Sequence, residues 1–129
     1  MSNVLEYWFS KHYRVTVVKN SDGSFLASVD VYRRGWFLDD YEELCLEDGG
    51  TCLIYKVIVN PEPLLHEVRI DKVIVTGVKI KDSVETVNVR WIGYGDVNED
   101  VAKKFFEESW RIVKCKPPTT GVWRFNCIE

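Results

Sequence analysis

The stretch from Val68 to Ile92 is two apolar, β-branched segments parted by a short polar break. The run Val-Arg-Ile-Asp-Lys-Val-Ile-Val-Thr-Gly-Val-Lys-Ile is followed by the polar trio Lys81, Asp82 and Ser83, and then by Val-Glu-Thr-Val-Asn-Val-Arg-Trp-Ile. Both halves are rich in β-branched and aromatic residues, and three polar residues suffice to reverse the chain, so the pattern predicts a long antiparallel hairpin. In its second half Val87, Val89 and Trp91 share one face, opposite Thr86, Asn88 and Arg90. A second period-two pattern sets Tyr13, Val15 and Val17 on one face, then Phe25, Ala27, Val29 and Val31 after the turn residues Asn20, Ser21, Asp22 and Gly23. This predicts another hairpin with a well-specified register. Thr51 to Val59 is almost continuously apolar, as expected of a strand that is central or covered on both faces. Val122 to Ile128 reads as a last strand, with Trp123, Phe125 and Cys127 on one side.

Helical spacing is strongest from Glu99 to Lys114. There Val101, Phe105, Trp110, Ile112 and Val113, flanked by Phe106, form an apolar stripe, and Asp96 with Glu99, or alternatively Asn98, supplies the cap. Pro117 and Pro118 forbid continuation. At the N-terminus Asn3 and Glu6 have capping-box spacing, with Val4, Leu5, Trp8 and Phe9 at helical intervals behind them, so a short helix is expected. Tyr41, Leu44 and Cys45 also fit one helical face and Gly49-Gly50 would stop it, predicting a second short, acidic helix. Asn60-Pro61-Glu62-Pro63 breaks the chain into a loop. The expectation is a single α+β domain over residues 1–129: a mostly antiparallel sheet of about six strands, covered by one long C-terminal helix, with one or two short helices.

Composition agrees with one globular core. The 129 residues are 46% apolar and 29% charged and include five Trp, too hydrophobic for a disordered chain. No apolar run reaches the ~20 residues of a membrane span, and the N-terminal residues do not form a secretory signal, so a cytoplasmic protein without membrane contact is expected. Gln is absent, Met occurs once, and Lys and Glu are abundant. That bias suggests a hyperthermophilic source, an archaeon or one of its viruses.

Such a source gives the four cysteines more weight, because intracellular disulfides persist in hyperthermophiles. Cys45 with Cys52 and Cys115 with Cys127 are the candidate pairs, each closing a local loop whose cross-link is worth ~2 to 3 kcal/mol in the chain-entropy picture. Neither pair has the two-to-four-residue spacing of a zinc site, so no metal and no cofactor is expected.

Chemistry is sparse elsewhere. Gly93-Tyr94-Gly95 lies between a strand and a helix, but the third glycine of a dinucleotide loop is replaced by Asn98, and Asp96, Glu99 and Asp100 would repel phosphate. Only His12 and His66 could serve general acid–base chemistry near neutrality, and neither lies in a local catalytic signature. The segment from Asp39 to Asp48 carries six carboxylates and no base; with a whole-chain charge of −3, that leaves +3 elsewhere and a polarised surface. Beside it Tyr32, Arg33, Arg34, Gly35, Trp36 and Phe37 combine bases with aromatics, residue types that anchor protein interfaces or stack on nucleotide bases. An acidic pI of 5.5 disfavours the nucleic-acid reading. The leading expectation is a small non-catalytic regulatory or accessory protein that binds a protein partner, a basic one among the options, through Arg33, Arg34, Trp36, Asp39, Asp40, Glu42 and Glu43. The rivals are a single-stranded nucleic-acid binder and a small hydrolase or nuclease using His66. An exposed strand edge would be the route to a dimer, and no residue pattern argues for one.

Overall fold

Among the described residues, the segments that alternate in period two form strands. The computed structural model describes residues 2–32, 41–46, 50–59, 67–81, 83–116 and 126–127. Seven strands form one antiparallel sheet: β1 (Ser2–Trp8), β2 (Arg14–Asn20), β3 (Ser24–Tyr32), β4 (Glu42–Cys45), β5 (Thr51–Val59), β6 (Arg69–Ile80) and β7 (Ser83–Tyr94). Their spatial order is β1-β2-β3-β7-β6-β5-β4. Two meanders, β1 to β3 and β4 to β7, therefore meet at a seam where β3 pairs with β7. The helix α1 (Glu99–Ile112) follows β7, and a separate two-stranded ribbon pairs β8 (Cys115–Lys116) with β9 (Asn126–Cys127).

One face of the large sheet is the core. Tyr13, Val15 and Val17 of the first meander, Phe25, Ala27, Val29 and Val31 of β3, Val87, Val89 and Trp91 of β7, and Val73 and Val75 of β6 are all buried. Register matches large to small across the seam, since Trp91 lies opposite Ala27 on one side and Val73 on the other. The helix closes this face with Val101, Ala102, Phe105, Phe106, Ser109 and Trp110, the period expected of one helical side. Phe105 packs between Phe25 and Trp91, with ring centroids 5.7 and 5.3 Å away. The Trp91 indole N–H donates to Ser109 Oγ at 2.8 Å, and that hydroxyl donates on to the Phe105 carbonyl at 2.6 Å. Trp110 is equally buried, yet its indole N–H has no hydrogen-bond partner among the described groups.

The turns follow from local chemistry. Asp22 accepts from the Ser24 backbone N–H at 2.9 Å and from its hydroxyl at 2.6 Å, and these bonds hold the Asp22 carboxyl below its ordinary range. Gly23, with φ of +93°, completes that β2–β3 turn. Asn98 caps α1 by accepting from the Val101 N–H at 3.0 Å, and Lys114 at φ +61° ends the helical path. Burial raises the Tyr13 phenol above its ordinary value.

Several expectations change. The N-terminal segment is not a helix but the edge strand β1, paired in continuous register from Ser2↔Asn20 to Trp8↔Arg14. Seven backbone pairings outweigh the local cap that Asn3 and Glu6 could offer. The acidic helix is likewise replaced: Glu42–Cys45 is strand β4, because it can pair with β5 and link to it covalently. The sheet has seven strands rather than six, and the C-terminal helix is shorter than expected, 14 residues ending at Ile112. Thr51–Val59 is a strand as expected, but it lies next to the β4 edge and is buried along one face only. Of the last strand, Asn126 and Cys127 pair as β9, and 122–125 and Ile128 lie outside the described residues.

Candidate protein-interaction face

Only one side of the sheet carries the helix. Residues one position out of phase with the core point to the opposite face, and strand register arranges them in rows. Near the seam this open face is polar. Asn88 Nδ2 donates to Ser28 Oγ at 2.8 Å and to Asp30 Oδ1 at 2.7 Å, while Arg90 Nε donates to Asn88 Oδ1 at 3.0 Å.

Toward β4 the same face becomes apolar. Leu44 lies opposite Leu53, and Leu53 opposite Val78; one row away Thr51 lies opposite Ile80, and the Leu46 N–H bonds to the Thr51 carbonyl at 3.0 Å. In the other direction Tyr55 pairs with Glu42, and Val57 with Ile74. Val59, opposite Lys72 at the far end of β5, is 65% exposed, and around the β4–β5 end Leu46 is 59%, Leu44 51% and Ile80 45% exposed. Large apolar side chains exposed side by side mark an interaction surface in a way that single ones do not. A shallow cavity of about 340 Å³ opens here, lined by Glu42, Tyr55, Lys56 and Val57.

The strand carrying Leu44 is fixed from three directions. The disulfide Cys45–Cys52 joins it to β5. The Leu46–Thr51 hydrogen bond makes Cys45 opposite Cys52 a non-hydrogen-bonded pair, the closer of the two antiparallel spacings and so the one that suits a cross-strand link. Glu43, on the core side, takes Lys79 Nζ at 3.0 Å. Tyr41 donates its hydroxyl to the Ile112 carbonyl at 3.3 Å and has Lys56 Nζ 5.0 Å from its ring centre.

Of the residues expected to bind a partner, Glu42 lies on the open face and Glu43 on the core side of the same strand. Arg33, Arg34, Trp36, Asp39 and Asp40 lie outside the described residues, as does His66. The disulfide between Cys45 and Cys52 is present. Cys115 is also disulfide-bonded, and backbone register sets Cys127 opposite it. Glu43, Cys45 and Cys52 bring donor atoms within 4.8 Å of one another, but both sulfurs belong to the disulfide and offer no thiolate to a metal.

Gly93-Tyr94-Gly95 ends β7 as a turn. The Gly95 N–H is committed to the Gly23 carbonyl at 3.0 Å, the Tyr94 hydroxyl donates to the Asp22 carbonyl, and Asp96 binds Lys19 Nζ at 2.6 Å, which lowers the Asp96 pKa. Sequence reasoning missed Leu44, Leu46, Val57 and Ile80. For Leu44 and Leu46 the only trace is their two-residue spacing, obscured by Cys45 between them; Val57 and Ile80 join that face only through strand register.

The chain matches no protein-family model, no curated protein and no solved structure. No helix among the described residues is long and apolar enough to cross a membrane.

Proposed function

We propose that this chain is a small non-catalytic regulatory or accessory protein that works inside the cell, docking a protein partner on the β4 side of its open sheet face. The supporting observation is the cluster of exposed apolar side chains, Leu44, Leu46 and Ile80, on strands held in place by a disulfide and an ion pair. Apolar anchors on a rigid platform lose little conformational freedom on binding, the condition under which modest area yields affinity. Glu42 at the rim, and the acidic residues Asp39 and Asp40 that precede it in sequence, favour a partner with basic residues around an apolar centre.

The test is capture from a lysate of the source organism with the tagged chain, with and without nuclease. Leu44→Asp and Glu42→Lys variants run beside it. A stoichiometric protein that survives nuclease and is lost with Leu44→Asp, while circular dichroism stays native, is the expected result. Capture that both variants leave intact, or that disappears with nuclease, would overturn the reading.

A further inference from the structure

Disulfides of this chain sit in opposite surroundings. Cys115 is 4% exposed and belongs to the hydrophobic core cluster. Cys45, by contrast, is an exposed residue of β4, the last strand of the sheet, and its partner Cys52 is buried on β5. Exposed disulfides are the readily exchanged ones, because a thiolate must reach one sulfur in line with the bond it breaks. The Cys45–Cys52 bond runs across the sheet from β4 to β5. In-line approach to Cys45 Sγ therefore comes from beyond β4, where no strand lies among the described residues. In-line approach to Cys52 Sγ comes from the other side, where β6 sets Lys79 directly opposite Cys52.

The groups around the bond suit that direction of attack. Lys79 Nζ lies 3.0 Å from Glu43 Oε2, and Glu43 Oε1 lies 3.4 Å from Cys45 Sγ. The Glu43 carboxylate and both sulfurs fall within 4.8 Å of one another. A cation beside a sulfur favours its thiolate, so the Lys79 ammonium favours Cys52 as the leaving group. Lys79 also answers the Glu43 charge, which would otherwise repel an incoming thiolate. Cys115 has the reverse problem: expelled as a thiolate, it would carry charge inside an apolar cluster.

We infer that Cys45–Cys52 is a thiol–disulfide exchange site whose reactant is a dithiol. One thiolate of the dithiol attacks Cys45 Sγ, the sulfur–sulfur bond breaks, and its electron pair leaves with Cys52, giving a mixed disulfide on Cys45. The second thiol of the reactant, once deprotonated, closes onto its own sulfur and expels Cys45 as a thiolate. The two cysteines take up the two protons that the dithiol gave up, and the dithiol departs as a disulfide, oxidised by two electrons. The Cys45 thiol then has Glu43 Oε1 within hydrogen-bond reach as an acceptor. Reclosure follows the same path in reverse, so the link that fastens β4 is one that opens and closes. The site stands whether or not the β4 side docks a partner.

Limited reduction of the oxidised wild-type chain tests the inference. After brief treatment with substoichiometric dithiothreitol and alkylation, peptide mass mapping is expected to find Cys45 and Cys52 labelled while Cys115 stays unlabelled. Glutathione, a monothiol, reports the direction of attack: quenched in acid at early times, it is expected on Cys45 and not on Cys52. Lys79→Met is expected to slow opening roughly threefold, the scale on which leaving-thiol acidity tunes exchange, and Lys79→Arg to restore it. Glutathione disulfide is expected to reclose the bond, read as loss of the thiols that alkylate. Labelling of Cys115 before or together with Cys45 and Cys52, glutathione caught first on Cys52, opening as fast in Lys79→Met as in the wild type, or thiols that stay open under glutathione disulfide would each overturn the inference. Should a Lys79 variant fail to fold, the two wild-type maps still decide it.

Discussion

Two buried tryptophans on facing elements show how much one polar atom decides. Trp91 and Trp110 are both fully buried, and each contacts an aromatic neighbour, Phe105 in one case and Tyr13 in the other. They differ in the indole N–H: that of Trp91 is satisfied by Ser109 Oγ, and that of Trp110 has no partner among the described groups. Replacement by Phe removes similar volume from both sites, so the cavity costs largely cancel in the comparison. What remains is a hydrogen bond lost in one variant and an unpaired donor relieved in the other. Trp91→Phe is therefore expected to cost about 2 kcal/mol more than Trp110→Phe, about 1 kcal/mol for the bond lost and at least about 1 kcal/mol for the unpaired donor relieved. Urea unfolding of the two variants measures the difference. Equal losses would mean that the Ser109 bridge contributes nothing beyond packing.

At the scale of elements, β4 depends on its covalent link more than any other strand of the seven-stranded sheet. It has four residues, all of them exposed, and lies at the sheet edge. A strand with so little buried surface is held by backbone pairing to one neighbour, a marginal arrangement by itself. The double change Cys45→Ser and Cys52→Ser is expected to lower stability by about 2 kcal/mol and to release β4 amides to rapid hydrogen exchange while those of β3 and β7 stay protected; full reduction also opens the disulfide of Cys115 and is the larger perturbation. Partner capture through Leu44 is expected to fall in the same variant. Full protection of β4 after reduction would show that pairing alone suffices. The same strand shows why the sequence was readable in the centre of the sheet and not at its edges. In β2, β3 and β7 one face is core, so alternation is imposed by burial and Val15, Val29 and Val89 announce it. In β1 apolar residues occur on both faces, Leu5 and Tyr7 on one and Val4 and Trp8 on the other, because neither side of an edge strand is fully covered. Their spacing then imitates a helix. Tyr41, Leu44 and Cys45 mislead in the same way: Cys45 answers to a covalent partner and Leu44 to the open face, and neither constraint leaves a period-two apolar pattern. Cys45 with Cys52 was a candidate pair from the short loop it closes, whereas rows of apolar side chains across three strands exist only after register is set.

The whole molecule is two meanders whose cooperation rests on one non-local seam. Residues 33–82 separate β3 from the strand it pairs with, so the nine-residue register from Ser24↔Tyr94 to Tyr32↔Thr86 closes a long stretch of chain. Both faces of the seam are fastened. Phe105 of α1 bridges Phe25 and Trp91 on the core side, and Asn88 bonds to Ser28 and Asp30 on the open side. Gly93 lies at the end of the seam where a third strand also comes close. A Cβ there would collide with the Arg69 carbonyl oxygen of β6 and stand 3.1 Å from Cζ of Phe25 on β3, so Gly93→Ala must move a backbone or a core ring. Gly77 offers a control, since its added Cβ would meet the Thr86 carbonyl at 3.2 Å and then the Val87 and Ile54 side chains of the second meander at 3.4 and 3.5 Å. Gly93→Ala is expected to cost about 3 kcal/mol and Gly77→Ala about 1 kcal/mol, the range for overpacking a rigid and a more yielding site. Amide exchange under native conditions then reads the architecture directly. If the seam makes the sheet one cooperative unit, Gly93→Ala lowers protection of β2, β3, β6 and β7 by a common factor. Loss confined to β6 and β7, with β2 and β3 keeping their wild-type rates, would instead show that the first meander, capped by α1, holds together without its partner.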